Sequence, residues 1–395
     1  MTVRGMSVDG ALLLWLGQSA LSTLGVRIYA HGLPLKDFPP SRTPSVAVLV
    51  PVKGAGPCLP DFLNRLRHQD YPGYRIVAAV ESRDDPAFSV LDAERARPGA
   101  PLEIAVAGLA QRGGQKVANL LAALDRLGAE DELVAFIDAD TLPTEIWLAR
   151  LVAVHVDAGM EVVTGYRWIT PADGRLGSAL LAAANASVAT LPRRSSRLSM
   201  CWGGSLLLPK RTLDQIGIRT WWDGAVSDDF QMTAALAAAG IRPHATRQSL
   251  LLTPVSMGVA EAFAFGVRQY RLLRTHRPAT WLMAVAFLVL PPACFLAILP
   301  ALAAGDPVAW AGLVLIALLG EMRTRSRMRI QRALWGDAVA GDVPFRWQVD
   351  RWLRPAWWLL HAGCAAAAAA SRTIRWAGVA YRIDGPRDVA VRREP

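Results

Sequence analysis

The sequence predicts an α/β domain held between membrane segments, and three observations point there. Between residues 40 and 277, short Val/Ile/Ala/Phe runs alternate with helical patterns, as in a largely parallel sheet with crossover helices. Apolar residues make up 52% of the chain and mean hydropathy is +0.25, high for a soluble enzyme and low for a polytopic transporter. The most apolar stretches lie outside the alternating region, near the N-terminus and after residue 281.

The first element, residues 8–30 around "ALLLWLGQSALSTLGVRIYA", has the length of a tilted membrane helix. Its thin basic flank and the lack of a small-x-small site argue for an anchor over a cleaved signal peptide. Strand-like runs follow at 46–52, 75–80, 102–107, 133–138 and 161–166. Helical patterns separate most of them, at 58–68, 86–97, 113–127 and 144–157. Residues 281–303 and 307–320 read as a membrane hairpin. Five arginines in the loop at 323–332 form a positive-inside signal, which puts that loop and the α/β domain on the cytoplasmic face. The remainder, 321–395, reads as a basic cytoplasmic region. Within it, 351–370 is too short for a span and suits an interfacial or re-entrant segment.

The net charge of +10 suits a cytoplasmic membrane surface better than nucleic acid, because the arginines crowd around apolar stretches and no RNA-binding signature accompanies them. Cys58, Cys201, Cys294 and Cys364 are far apart, so neither a disulfide framework nor a zinc site is indicated and a reducing compartment fits. High Ala and Arg usage hints at a bacterium, hence its inner membrane.

Chemistry concentrates at strand ends. In "LVAFIDADTLP" (133–143), Asp138 and Asp140 are two apart on an extended chain, face the same side and could meet one cation together. Alternatively, Asp140 merely caps a helix starting near Pro143. Ligands of open α/β sheets bind at the carboxyl ends of the strands. Those ends also carry Lys53-Gly54 and Glu81-Ser82-Arg83-Asp84-Asp85, while "GGQKVANL" (113–120) brings Lys116; singly, each could be a solvated loop charge. Further on, Asp228 and Asp229 open an amphipathic helix, where one of them could simply be its N-cap. Arg268, Gln269, Arg271, Arg274 and Arg277 precede the membrane hairpin, placed either to anchor at the interface or to bind pyrophosphate.

Taken together, "PVKG" (51–54), "DYPGYRIVAAVESRDDP" (70–86), "GGQKVANL", "IDAD" (137–140), "CWGGSLLLPKRTLDQIG" (201–217) and "SDDFQMTAALAAAG" (227–240) resemble the glycosyltransferase family 2 superfamily, and most of all the ceramide glucosyltransferase group, family 21. The tail "RWAGVAYRIDG" (375–385) resembles that family's end. Two departures stand out: Ser82 occupies the family's first aspartate position, leaving its work to Glu81 or Asp84, and the (Q/R)xxRW element is altered around Arg268–Leu272.

The resemblance implies a GT-A nucleotide-sugar domain at 40–277, a UDP-sugar donor and a membrane-lipid acceptor such as ceramide, with glucose as the sugar. It implies Mg²⁺ or Mn²⁺ on Asp140, with Asp138 facing the ribose or the metal, since such hard ions take carboxylate and phosphate oxygen. Lys53, Glu81, Lys116 and Gln269 would line the nucleotide site, with Gly203, Gly204 and Ser205 forming a close-approach loop. Asp229 would be the general base of an inverting transfer, and Arg268 and Arg271 would offset charge on the departing UDP. A hopanoid or other lipid acceptor and a processive polysaccharide synthase are the competing enzymes; a decayed transferase acting as a scaffold is the non-enzymatic alternative.

Overall fold

The computed structural model describes residues 7–33, 39–191, 199–340 and 344–393, with side chains at 337–340 and 344 left out of account. The chain divides into two compact units, one of residues 36–168, 193–254 and 372–395, the other of 1–35, 169–192 and 255–371.

The first unit is built on a seven-stranded sheet of β1 (Val46–Pro51), β2 (Tyr74–Val80), β3 (Leu102–Val106), β4 (Leu133–Ile137), β5 (Val163–Pro171), β6 (Ser205–Pro209) and β7 (His244–Val255), in the order β3-β2-β1-β4-β6-β5-β7. The expected parallel sheet holds across β3-β2-β1-β4; β6 runs antiparallel to both β4 and β5, so the sheet is mixed. Alternation along each strand sets the two faces. Val46, Val48 and Val50 pack with α2 (Leu59–Arg67), α3 (Pro86–Arg95) and α5 (Trp147–Asp157). Ala47 and Leu49 pack on the opposite side with α4 (Gln115–Leu124), α7 (Lys210–Gln215), α8 (Ile218–Trp222) and α9 (Asp228–Ala238). Burial on both faces explains why β1 reads as an unbroken apolar run.

Three more strands close this unit: β8 (Thr373–Trp376), β9 (Val379–Ile383) and β10 (Val389–Arg393) form an antiparallel sheet. The β8–β9 hairpin turns on Ala377 and Gly378, both at positive φ, the requirement of a two-residue turn matched to strand twist.

The second unit is helical: α1 (Val8–His31), α6 (Leu176–Ala189), α10 (Val259–His276), α11 (Pro278–Ala303), α12 (Pro307–Ala340), α13 (Pro344–Trp352) and α14 (Arg354–Ala367). Among the described residues, α1, α11 and α12 up to Gly336 are long and apolar enough to cross a membrane. Their shared core includes Ala11, Leu12, Cys294, Ile298 and Ala309. Pro291 inside α11 lacks the N–H that would bond to the carbonyl of Phe287; the buried Gln18 of α1 donates to that carbonyl at 2.7 Å and makes good the loss.

The second apolar block does not stop at residue 320. α12 continues through 323–332, so those arginines sit on a helix and not in a loop. Arg323 is buried and donates to the carbonyl of Ser19 and the hydroxyl of Thr23, and Arg327 is buried in an ion pair with Asp350 at 2.6 Å. Segment 351–370 holds the end of α13 and all of α14, whose 14 residues reach roughly 21 Å, short of a ~30 Å hydrocarbon layer. α6 escaped the sequence reading because it is Ala-rich and buried almost all round, leaving no amphipathic period to detect.

Candidate active site at the carboxyl edge of the sheet

Strands β1, β2 and β4 run in one direction and therefore deliver their last residues to one edge. β6 is reversed, with Ser205 opposite Ile137, so its start lies at that same edge.

At the end of β1, Gly54 adopts φ +68°, and its N–H donates to Asp85, which also caps α3 through the Ala87 N–H. That tie turns Lys53 toward β2, where it pairs with Glu81 at 2.5 Å. Asp84 is exposed and Ser82 accepts the Asp84 N–H, so Glu81 is the one of the two acidic candidates that meets Lys53.

The approach of α4 depends on two glycines. A Cβ on Gly113 would lie 2.5 Å from the carbonyl oxygen of Ala225, and one on Gly114 would lie 2.9 Å from that of Val226. With no side chains there, the start of α4 packs directly on the segment leading into α9. Lys116 is thereby set between two carboxylates, 2.7 Å from Asp138 Oδ1 and 3.0 Å from Asp228 Oδ1. The second oxygen of Asp138 pairs with Arg167 of β5 at 3.3 Å, and that guanidinium lies 5.1 Å from the Trp202 ring centroid. Gly203 is a further close approach, since a Cβ there would fall 1.9 Å from Asp228 Oδ2.

The charges in this cluster perturb one another. Burial works against the Lys116 ammonium, but Asp138, Asp228 and Asp229 outweigh it and hold its pKa above the lysine range. Burial likewise pushes Asp138 up, and Lys116 and Arg167 reverse it to a value below the ordinary carboxylate range. Asp228 is pushed up to about 6, by burial first and then by Asp229 and Asp138, against the pull of Lys116. Asp140 is raised by the protein around it and by the Asp138 charge, although its side chain keeps solvent access.

Asp140 does not cap α5, whose N-cap position is Ile146. It has no ion pair, and its side chain is hydrogen-bonded to no other residue among those described. Asp229 is not the cap of α9 either; that is Ser227, which accepts the Phe230 N–H. Asp229 Oδ1 accepts from the Phe230 N–H and from the Ser227 hydroxyl, while Oδ2 has no partner among the described residues.

The edge thus gathers Lys53, Glu81, Lys116, Asp138, Asp140 and Asp229. Gly203 and Gly204 are buried against protein: a Cβ on Gly204 would strike the Trp202 ring at 2.1 Å. Ser205 is the first residue of β6 and accepts from Trp147 Nε1 in the core, so it is a strand residue and not part of a loop. Arg268, Gln269 and Arg271 belong to α10 in the helical unit. There Arg268 lies 5.0 Å from the Phe265 ring centroid, Gln269 is exposed, and Arg271 and Arg274 donate to carbonyls at and just past the end of α14, Arg271 to Ala367 and Arg274 to Ala368 and Ala369. Arg167 was absent from the sequence reading. Its signal was one arginine inside the apolar β5 run, "VTGYRWITP", where a charge needs a carboxylate partner.

Among the described residues, no cluster of three or more His, Cys, Asp or Glu side chains could hold a metal alone. The donor set nevertheless fits a hard divalent ion of the kind held by one or two carboxylates plus substrate phosphates, because Asp140 is uncommitted and Asp138 adjoins it.

Residues 13–388 match the family model described as Glycosyl transferase family 21. Among solved structures, the chain is similar to a mannosyltransferase from Pyrobaculum calidifontis in complex with GDP-Man and Mn²⁺, at 19% identity and TM-score 0.50, covering 92% of this chain and 96% of that one. This likeness shows a common GT-A type fold. Weaker likenesses are to residues 1–349 of S. aureus TarS (13% identity, TM-score 0.38, 87% and 98% covered) and to the glucosyl-3-phosphoglycerate synthase of Mycobacterium tuberculosis with Mn²⁺ and UDP-glucose (14%, 0.37, 64% and 82%).

Proposed function

The chain belongs to glycosyltransferase family 21, and we propose that within it the protein is an inverting enzyme that moves a sugar, glucose by preference, from a UDP-sugar to the hydroxyl of a membrane lipid such as ceramide. The observation that carries the proposal is the division of labour at the sheet edge. Asp138 is locked by Lys116 and Arg167, while Asp140 and one oxygen of Asp229 stay uncommitted. The P. calidifontis structure holds GDP-Man and Mn²⁺; a nucleotide-sugar donor and a divalent metal come to this chain as part of the proposal. The three helices able to span a membrane support a lipid acceptor, and the exposed Arg325, Arg329 and Arg332 support a cytoplasmic site.

Asp140, with Asp138 beside it, would hold Mg²⁺ or Mn²⁺, which when bound neutralises diphosphate charge. Asp229 Oδ2 takes the proton of the lipid hydroxyl as its oxygen bonds to the anomeric carbon. The bond from that carbon to the diphosphate oxygen breaks on the opposite face, its electron pair leaving with UDP, and configuration inverts. Lys116 keeps the carboxylates of Asp138 and Asp228 in place. Arg268 and Arg271 would offset charge on the leaving diphosphate.

The test is transfer by purified protein in detergent, from labelled UDP-glucose to ceramide, with and without EDTA. Lipid-extractable label that EDTA abolishes and Mn²⁺ or Mg²⁺ restores is expected. No labelled lipid from any UDP-sugar with a full membrane-lipid extract would overturn the reading.

A further inference from the structure

The C-terminal sheet reaches the same edge. Tyr381 of β9 is buried, and its hydroxyl accepts the backbone N–H of Gln115 at 3.4 Å, at the start of α4. Arg393, at the end of β10, donates to Gln115 Oε1 at 2.9 Å and stands 3.8 Å from Glu81 Oε2. Gln115 is no ordinary surface glutamine. It is 3% exposed, donates to the Gly108 carbonyl and to Asn119, and precedes Lys116. Asn119 in turn donates to the carbonyls of Val52 and Ala79, at the ends of β1 and β2.

Arg393 is therefore the outer member of a chain of contacts, Arg393–Gln115–Asn119, that ends on the two strand termini carrying Lys53 and Glu81. The same guanidinium approaches Glu81 Oε2, the oxygen that Lys53 also holds. The segment between β9 and β10 is fastened independently: Gln231 of α9 donates to the Pro386 carbonyl, Arg387 donates to the Thr220 carbonyl and lies over Trp221, and Gly224 has no Cβ because one would lie 2.6 Å from the Arg387 carbonyl oxygen. Arg393 itself lies beyond the residues that match the family model.

We propose that Arg393 is a positioning residue of the nucleotide site: β10 folds back to fix Glu81 and Gln115, so donor binding depends on the sheet of β8, β9 and β10. This rests on the reading of the edge as a UDP-sugar site. Glu81 Oε2 is thereby held between two cations, Lys53 and Arg393, which together favour one placement of the carboxylate. A guanidinium suits the task because its fork can serve an amide oxygen and a carboxylate at once.

The experiment compares wild type with Arg393→Ala, Arg393→Gln and Arg387→Ala, the last cutting a tail contact remote from Glu81. UDP affinity is measured by calorimetry in detergent with Mn²⁺, and KM for UDP-glucose, kcat and melting temperature are measured alongside. Arg393→Ala and Arg393→Gln should each weaken UDP binding and raise KM for the donor about tenfold, the scale of one charge-assisted contact. Their kcat and KM for the lipid should stay within about twofold and the melting temperature should hold. Arg387→Ala should leave UDP affinity unchanged. If Arg393→Ala fails to fold, Arg393→Gln decides, since glutamine can still bond to Gln115. Wild-type UDP affinity in both Arg393 variants, or an equal loss in Arg387→Ala, would overturn the inference and leave the function standing. Failure of the wild type to bind UDP at all would overturn the function itself.

Discussion

Gly203→Ala probes the packing of the charged cluster with the smallest possible change. An added Cβ would sit 1.9 Å from Asp228 Oδ2, against an ordinary contact of 3.4 Å or more, so the carboxylate must retreat by about 1.5 Å. Lys116 holds the other oxygen, Asp228 Oδ1, at 3.0 Å, so the carboxylate can clear the methyl only by straining or breaking that pair, in a region where both side chains are largely buried. Breaking a buried pair costs on the order of 3–5 kcal/mol. Displacing groups beside Asp229 by an ångström should also lower turnover on the order of a hundredfold. The decisive assay is a double-mutant cycle, with melting temperature and UDP-sugar turnover measured for Gly203→Ala, Asp228→Ala and the pair. If the clash with Asp228 is the cause, Gly203→Ala lowers the melting temperature sharply in wild type and hardly further in Asp228→Ala. Equal, additive losses in both backgrounds, or no loss in either, would refute the reasoning.

The α10 arginines separate by role. If Arg268 and Arg271 offset diphosphate charge, alanine at either cuts kcat about tenfold or more, the scale of ~1.5–3 kcal/mol for one charge-assisted contact. A fall in melting temperature with kcat intact would leave Arg271 as only the partner of the α14 carbonyls. Away from the edge, Asp131 is buried and bonded twice to Arg75, at 3.0 and 2.7 Å, and to the Gly128 N–H. Burial raises its pKa, but the Arg75 hydrogen bond leads the interactions that reverse this to a net lowering. A depressed folded-state pKa contributes stability above the ordinary carboxylate value and loses it as pH falls through the folded value. Asp131→Asn should therefore lower the melting temperature at pH 7, and the gap to wild type should close below about pH 4. A gap independent of pH would remove the ion pair from the account.

Much of this was legible in the sequence, for definite reasons. β1, β2 and β4 are buried on both faces, so their apolar runs had no competing reading, and their polar ends marked the edge where Lys53, Glu81 and Asp138 meet. The antiparallel turn at β6 was not legible, since "SLLLP" reads the same in either direction. Nor was the return of the C-terminal strands, because pairings such as Arg393 with Gln115 join residues 278 apart in sequence. The arginines of 323–332 looked like a loop because charge marks solvent in a composition reading. Here two of them, Arg323 and Arg327, are buried with partners from α1 and α13, which no local pattern reveals. Asp228 and Asp229 are neighbours that sequence alone barely separates. The fold does so by giving one to Lys116 and leaving an oxygen of the other without a partner.

The most direct test of the central claim is Asp229→Asn, assayed with UDP-glucose and ceramide both saturating and UDP affinity measured on the same preparation. Asparagine keeps the size of the side chain and can still accept from the Phe230 N–H, but it cannot take up a proton from the acceptor hydroxyl. The account predicts UDP binding within about twofold of wild type and transfer reduced by roughly 10²–10⁴, the range attributed to a general base. Wild-type turnover by Asp229→Asn under those conditions would contradict it.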